Sequence, residues 1–264
     1  MTGPITALVI NRAADTARMA LMHGQLDRLG LSYERLEART PDTLSPPADD
    51  RFWQRWERPM TPVEMAIAES HMTAWRRVEA ADRPLLILED DALLAPGAPD
   101  VLAAVAPAMD VDHLTLEVRG RRKLVARTAH PAFPGRRMYQ DRTGAAAYVL
   151  WPQGARVLLA RSARGPGLAD AMICAAYDLR SYQADPALAI QVDQCDRYGV
   201  VPPPGIASSN ASVAGDTRRA VPRSAGHRFR RAAAQLRMGL RLITKLAGAE
   251  RRLIDLAPDL RSPT

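Results

Sequence analysis

An α/β sandwich around a mostly parallel central sheet, followed by a basic amphipathic helix, is the architecture this sequence predicts. Three observations carry that expectation. Compact apolar runs alternate with segments of helical periodicity from residue 5 to about residue 191. Hydrophobic residues make up 47% of the 264, enough for one sizeable core. The charge is uneven. The chain carries +7 overall, but residues 218–264 hold twelve Arg or Lys against three acids (Glu250, Asp255, Asp259), which leaves the preceding part slightly acidic.

Each element has a local reason. Ile5–Ile10 is a short apolar run of the kind that forms a buried strand. Met19, Met22, Leu26 and Leu29 then repeat at helical spacing, and Gly30 ends that helix. Tyr33–Ala38 is a second strand. Thr61-Pro62-Val63-Glu64 is a helix start, with a capping threonine, proline in the first turn and a glutamate three residues after the cap. This helix runs to about Ala80. Pro84–Asp91 is an apolar strand that ends in three carboxylates. Val101–Met109 reads as helix, His113–Glu117 as strand, Arg119–Arg142 as an irregular basic segment, and Gly144–Trp151 as strand. A helix opens at Pro152, another spans Leu168–Asp178, and Arg180–Gln191 holds one or two short strands.

The body is therefore expected at 1–200, a Pro/Gly/Ser-rich linker at 201–215 and a tail at 216–264. From Arg228 to Leu256, Phe229, Ala233, Leu236, Leu240, Ile243 and Ala247 follow helical spacing. Arg230, Arg237, Arg241, Lys245 and Arg252 gather on roughly the opposite face, a pattern that suits a helix lying on an anionic membrane surface. Nucleic acid is not an expected partner, because the body is not basic and lacks aromatic–basic interleaving. Two cysteines, Cys174 and Cys195, exclude a disulfide scaffold and a Cys/His zinc module. No apolar run approaches the roughly 20 residues of a membrane span. The Met1-Thr2-Gly3-Pro4 start lacks a signal-peptide pattern, so a cytoplasmic location is expected.

The chemistry concentrates at Glu89-Asp90-Asp91. Three acids at the carboxyl end of a strand repel one another unless a cation or a positive substrate neutralises them. Strand alternation puts Glu89 and Asp91 on one side and Asp90 on the other. Such a set offers hard oxygen ligands to Mg²⁺ or Mn²⁺ while the metal holds substrate phosphates. A polar loop with Asp91 as a helix cap is the plainer alternative.

Five segments in order resemble glycosyltransferase family 25 over roughly residues 5–195. They are Val9-Ile10-Asn11-Arg12 with Arg18, Thr61–Trp75 with its Ser70-His71 pair, Leu86-Ile87-Leu88-Glu89-Asp90-Asp91, Gly144–Leu150 with Gly154-Ala155, and Ala169-Asp170. The chain departs from the family pattern at Val63 and Ala66, where the family carries glycine, and at Arg12, where it carries leucine.

The resemblance implies a GT-A-like, Rossmann-type sandwich and inverting transfer from a nucleotide sugar. It implies that Asp91, with Glu89, binds Mn²⁺ or Mg²⁺ on the donor diphosphate, and that Glu89 or Asp90 assists at the metal or the ribose. Asn11, Arg12 and Arg18 would contact the nucleotide, with Ser70 and His71 near the donor. An inverting displacement needs a base for the acceptor hydroxyl; Asp170 is the expected one and Glu117 the second choice. Trp53 and Trp56 are expected to stack on an acceptor sugar. The resulting expectation is a hexosyltransferase that moves galactose from a UDP-sugar to a lipid-linked saccharide at the inner face of the cytoplasmic membrane. A basic-tailed nucleic-acid binder and a non-catalytic transferase-like module are the other classes the sequence admits.

Overall fold

The structure is a computed structural model that describes residues 4–141, 144–206 and 225–261. Its first half runs β1 (Thr6–Asn11), α1 (Thr16–Arg28), β2 (Tyr33–Glu37), α2 (Pro62–Ala81), β3 (Leu85–Glu89), β4 (Ala92–Leu94), α3 (Ala98–Val105) and β5 (His113–Thr115). The second half runs β6 (Lys123–Ala129), β7 (Gly135–Gln140), β8 (Ala147–Leu150), α4 (Pro152–Arg164), α5 (Ala169–Ala175), β9 (Ser181–Ala184), β10 (Ala189–Gln191) and α6 (Cys195–Tyr198). It ends with α7 (Ala225–Lys245), β11 (Ala249–Arg252) and α8 (Pro258–Arg261).

Nine strands form one sheet in the order β11-β6-β7-β9-β5-β8-β3-β1-β2, and β4 pairs with β10 beside it. The expectation of a mostly parallel sheet is corrected to a mixed one. Among the strand pairs of the described residues, only β1–β2, β1–β3 and β5–β9 are parallel. Strand β8 inserts antiparallel between β3 and β5, and β7, β6 and β11 add antiparallel pairings at the far end.

Side chains alternate across the sheet and build two cores. Ala7, Val9, Leu86, Leu88, Ala147 and Val149 face α1 and α3, against Met22, Leu26, Val101 and Leu102. Leu8, Ile10, Leu85, Ile87, Tyr148 and Leu150 face α2, α4 and α5, against Met72, Trp75, Leu158 and Met172. The start of α2 forms as its sequence predicts. Thr61 Oγ1 accepts from the Glu64 N–H at 3.2 Å, and Glu64 Oε2 accepts from the Thr61 N–H at 2.9 Å.

Two long segments differ from their sequence reading. The basic stretch 119–142 is not irregular but contains the β6–β7 hairpin. Its register shifts on both sides of Val125 and its exposed half carries Arg127 and Thr128, so neither strand shows clean alternation. The tail is not helical to Leu256. Helix α7 ends at Lys245, and β11 then returns to the sheet edge beside β6. Ile254 and Leu256 close a small core with Leu93, Val118, Ala187, Ile190 and Cys195. Apolar burial and ladder hydrogen bonds outweigh helix continuation there. Arg252 therefore lies on a strand, 3.1 Å from Asp185 and 3.5 Å from Glu250, rather than on the cationic helix face. The linker reading falls largely on residues outside those described. Among the described residues, no helix is long and apolar enough to cross a membrane.

Candidate active site

The acidic trio sits where β3 ends, and the alternation of that strand divides it. Glu89 continues the Leu85–Ile87 side toward α2, where its Oε1 meets His71 Nε2 at 3.2 Å. Asp90 turns to the α1 side. It accepts from Asn11 Nδ2 at 2.7 Å and from Arg18 Nη1 at 3.0 Å. Glu89 and Asp91 then converge again: Gln191 Nε2 donates to Glu89 Oε2 at 2.8 Å and to Asp91 Oδ1 at 3.2 Å. Asp91 is fully buried. Burial raises the carboxyl of Glu89 above its ordinary value against the pull of His71, and raises that of Asp90 against Asn11 and Arg18.

Helix α2 supplies the frame for Glu89. Tyr148 Oη on β8 accepts from Trp75 Nε1 at 2.8 Å and lies 3.0 Å from His71 Nδ1. The hydroxyl proton is then free for His71 Nδ1, which leaves the Nε2 proton for Glu89; this tautomer is assigned from the network. On the other side Gln191 Oε1 accepts from the guanidinium of Arg119, which also bonds Asp193 Oδ2. One amide thus links a cation to both carboxylates.

Glu117, just past β5, is sealed. Its Oε2 accepts from the Ala146 N–H at 3.0 Å, and its Oε1 has no partner among the described residues. Gly144 (φ +92°) lies against it so closely that a Cβ there would stand 1.6 Å from Oε1, which is why this turn needs glycine. Burial, and then the charge of Glu89, push the Glu117 carboxyl up to about 8. The sign of the pH effect follows. Between its ordinary 4.5 and about 8 the folded protein holds a proton that the unfolded chain releases. Its stability contribution is complete below the lower value and is lost as pH rises through the upper one. Glu117→Gln is expected to stabilise the protein at alkaline pH by about 2–4 kcal/mol more than at acid pH, read by urea denaturation at both. An equal effect at the two pH values would refute the buried neutral carboxyl.

A sequence profile of glycosyltransferase family 25 (LPS biosynthesis protein) matches residues 5–173, which include α2, the acidic trio and Asp170. The chain belongs to glycosyltransferase family 25. None of the curated proteins compared with this transferase matches it. Three solved structures are similar at low identity. A glycosyltransferase involved in glycosylating the major capsid of the virus PBCV-1 is 9% identical, with TM-score 0.32 over 60% of this chain and 66% of that one. A Drosophila beta-1,4-galactosyltransferase 7, complexed with manganese, UDP-Gal and xylobiose, is 11% identical, with TM-score 0.40 over 85% and 83%. The inositol-1-phosphate CTP transferase of T. maritima is 12% identical, with TM-score 0.36 over 83% and 78%.

The structure gathers some of the expected residues of the family 25 transferase and disperses others. Asp170, at the start of α5, is half-buried. Its carboxyl is raised by burial, against a 2.7 Å hydrogen bond from the Ala171 N–H and the pull of His71 and Arg119. It therefore belongs to the same electrostatic neighbourhood as Glu89. Arg12 is exposed and bonded to Asp15 at 2.7 Å, with Asp90 within electrostatic range. Ser70 is a scaffold residue: its Oγ donates to the Ala66 carbonyl at 2.8 Å and accepts from the Arg39 N–H at 2.8 Å.

Trp53 and Trp56 are corrected. Both are buried in the α2-side core, Trp53 with its Nε1 on the Pro46 carbonyl at 3.0 Å and Trp56 against Gly167, so neither face is open to a sugar. Arg119 and Gln191 were not anticipated from sequence. Gln191 reaches the trio from 100 to 102 positions away, Arg119 bonds Gln191 across 72, and no local pattern marks either.

The fit to a divalent cation is specific. Among the described residues no three His, Cys, Asp or Glu side chains are grouped to hold a metal. Asp90 bonds Asn11 and Arg18 and stands apart from the Glu89–Asp91 pair, so of its two expected roles, at the metal or at the ribose, its position favours the second. Glu89 and Asp91 do converge, and they converge on one amide nitrogen. Two carboxylates suit Mg²⁺ or Mn²⁺ when the donor's phosphates complete the shell, because such ions are bound by one or two carboxylates plus substrate.

Proposed function

We propose that this protein is an inverting, metal-dependent hexosyltransferase. In this reading it moves galactose from UDP-galactose to a lipid-linked saccharide of lipopolysaccharide type at the inner face of the cytoplasmic membrane. The observation that carries the reading is the convergence of Glu89 Oε2 and Asp91 Oδ1 on one point at the end of β3, with Asp170 in the same electrostatic neighbourhood. A manganese and UDP-Gal complex of a similar structure names the donor class to test first. The architecture is compatible with a GT-A-like domain, with the ligand beyond the carboxyl ends of β1 and β3.

Glu89 and Asp91 would hold the cation, which when bound neutralises the donor diphosphate. The chain's own residues do the rest. Arg119, held by Gln191 and Asp193, offers its guanidinium to the negative charge that grows on the leaving diphosphate. Asn11 and Arg18 fix Asp90 and so shape the nucleotide end of the site. Asp170 takes the proton of the acceptor hydroxyl as that oxygen bonds to the anomeric carbon and the bond to the diphosphate breaks. A base works best with a pKa drawn toward the working pH, and burial draws Asp170 that way. Glu117 is passed over because Gly144 closes it from an acceptor.

The test is a panel of nucleotide sugars scored by thermal stabilisation with and without Mn²⁺. A ligand that binds only the folded state adds about 2.7 kcal/mol of stability at a hundredfold excess over Kd and so raises Tm by mass action. UDP-galactose with Mn²⁺ is expected to give the largest shift, and Asp170→Asn to keep the shift while losing transfer. Silence across the panel would remove the enzyme reading in favour of a binding module.

A further inference from the structure

We propose that α7 seats this protein on an anionic lipid surface through an apolar face that it turns away from the body. This goes beyond the transfer reaction and does not depend on it. A surface helix of a globular protein ordinarily packs its apolar stripe on the core and its charges outward. Helix α7 instead turns its largest apolar side chains outward. Its polar contacts with the body are made by cations, beside the half-buried Ala234, Met238 and Leu242. Arg230 Nε and Nη2 donate to the carbonyls of Trp56 and Gln54 at 2.9 and 3.0 Å, and Arg241 Nε donates to the Tyr139 carbonyl at 2.7 Å. The Arg241 guanidinium lies 4.6 Å from the Tyr177 ring centre, and Lys245 lies 5.7 Å from that of Tyr139. His227 is buried on the same side. Arg230, Arg241 and Lys245, expected from sequence to face a membrane, thus clasp the protein instead.

What faces out is Phe229, Leu236, Leu240 and Ile243, at 76%, 66%, 54% and 68% exposure. Spaced at i, i+7, i+11 and i+14, they form one stripe along the helix axis. Exposed arginines stand on both flanks, Arg228 on one and Arg237 on the other. Residues 225–245 include no Asp or Glu. That charge pattern chooses the occupant. A second copy docked stripe to stripe would bring two all-cationic rims together with no acid to meet them. A nucleic acid would satisfy the rims but leave the stripe in water. An anionic lipid interface satisfies both, with the stripe at the acyl boundary and the arginines among the headgroups.

The experiment is co-sedimentation of the full chain with vesicles of phosphatidylcholine alone and of phosphatidylcholine mixed with phosphatidylglycerol, alongside solution mass and an RNA-binding control. Binding to the anionic vesicles and weak binding to the neutral ones is expected. Leu236→Ser with Leu240→Ser should lower that binding roughly tenfold or more. Arg228→Gln and Arg237→Gln should each lower it about fivefold and reduce its salt sensitivity. All four positions are exposed, so unchanged Tm checks the fold of each variant. The proposal fails if anionic vesicles do not retain the protein, or if the serine variant binds as well as the parent. It also fails if the serine substitutions instead dissociate a dimer, or if RNA binds and the stripe has no influence.

Discussion

Asp91→Asn is expected to reduce kcat/KM for transfer by about a hundredfold or more, the scale of losing a charge that stabilises a developing anion or holds its metal. The amide retains the size of the side chain and an oxygen that can accept from Gln191 Nε2, now 3.2 Å away. The fold should therefore survive, with Tm within a few degrees of the parent. Two readouts separate the cause from general damage. Stabilisation by a nucleotide sugar should lose its dependence on Mn²⁺, and Asp90→Asn should be milder in transfer, because Asp90 answers to Asn11 and Arg18 rather than to the converging pair. A variant at residue 91 that transfers within about fivefold of the parent would end the metal reading, since so small a change is below what a metal ligand contributes.

The largest expected loss of stability lies at Lys123. This lysine is fully buried at the start of β6. It pairs with Asp141 Oδ2 at 2.6 Å, bonds Gln183 Oε1 and donates to the Glu117 carbonyl at 3.3 Å. Lys123→Met removes the cation and leaves a buried carboxylate and a buried amide oxygen that have lost a donor. Breaking one side of such a pair costs about 3–5 kcal/mol, whereas replacing both partners by apolar groups is often neutral. Urea denaturation should show that loss for Lys123→Met and recover most of it in Lys123→Met with Asp141→Leu. If the single variant loses less than about 1 kcal/mol, the value of an exposed pair, the ammonium is hydrated rather than buried.

The parts of this molecule that sequence reveals are those governed by near neighbours. The alternation of Leu85 to Glu89 fixes which acid shares a side with which, and the coordinates divide Glu89 and Asp91 from Asp90 accordingly. The capping pair Thr61 and Glu64 is likewise decided within four residues. Long-range partners decide the rest. Lys123 reads as one more base in a basic stretch until Asp141 and Gln183 are folded against it. Trp53 and Trp56 read as loop aromatics because nothing nearby announces that the α2-side core will take both in, with Gly167, 111 positions on, against Trp56. β11 reads as the end of a helix because its ladder partner, β6, lies more than a hundred residues earlier. Gln191, the residue that draws two carboxylates together, sits in a short apolar segment whose only sequence signal is a strand.

The return of β11 to the sheet has a consequence for the size of acceptor the protein can serve. Only residues 246–248 separate α7 from that strand, a length of chain that reaches about 10 Å when fully stretched. The helix is a fixed foot rather than a float on a cord. On a bilayer it would set the carboxyl ends of β1 and β3 at one height above the headgroups. Sugars nearer or farther than that height would present their hydroxyls out of reach, and chain length itself would become a criterion of selection.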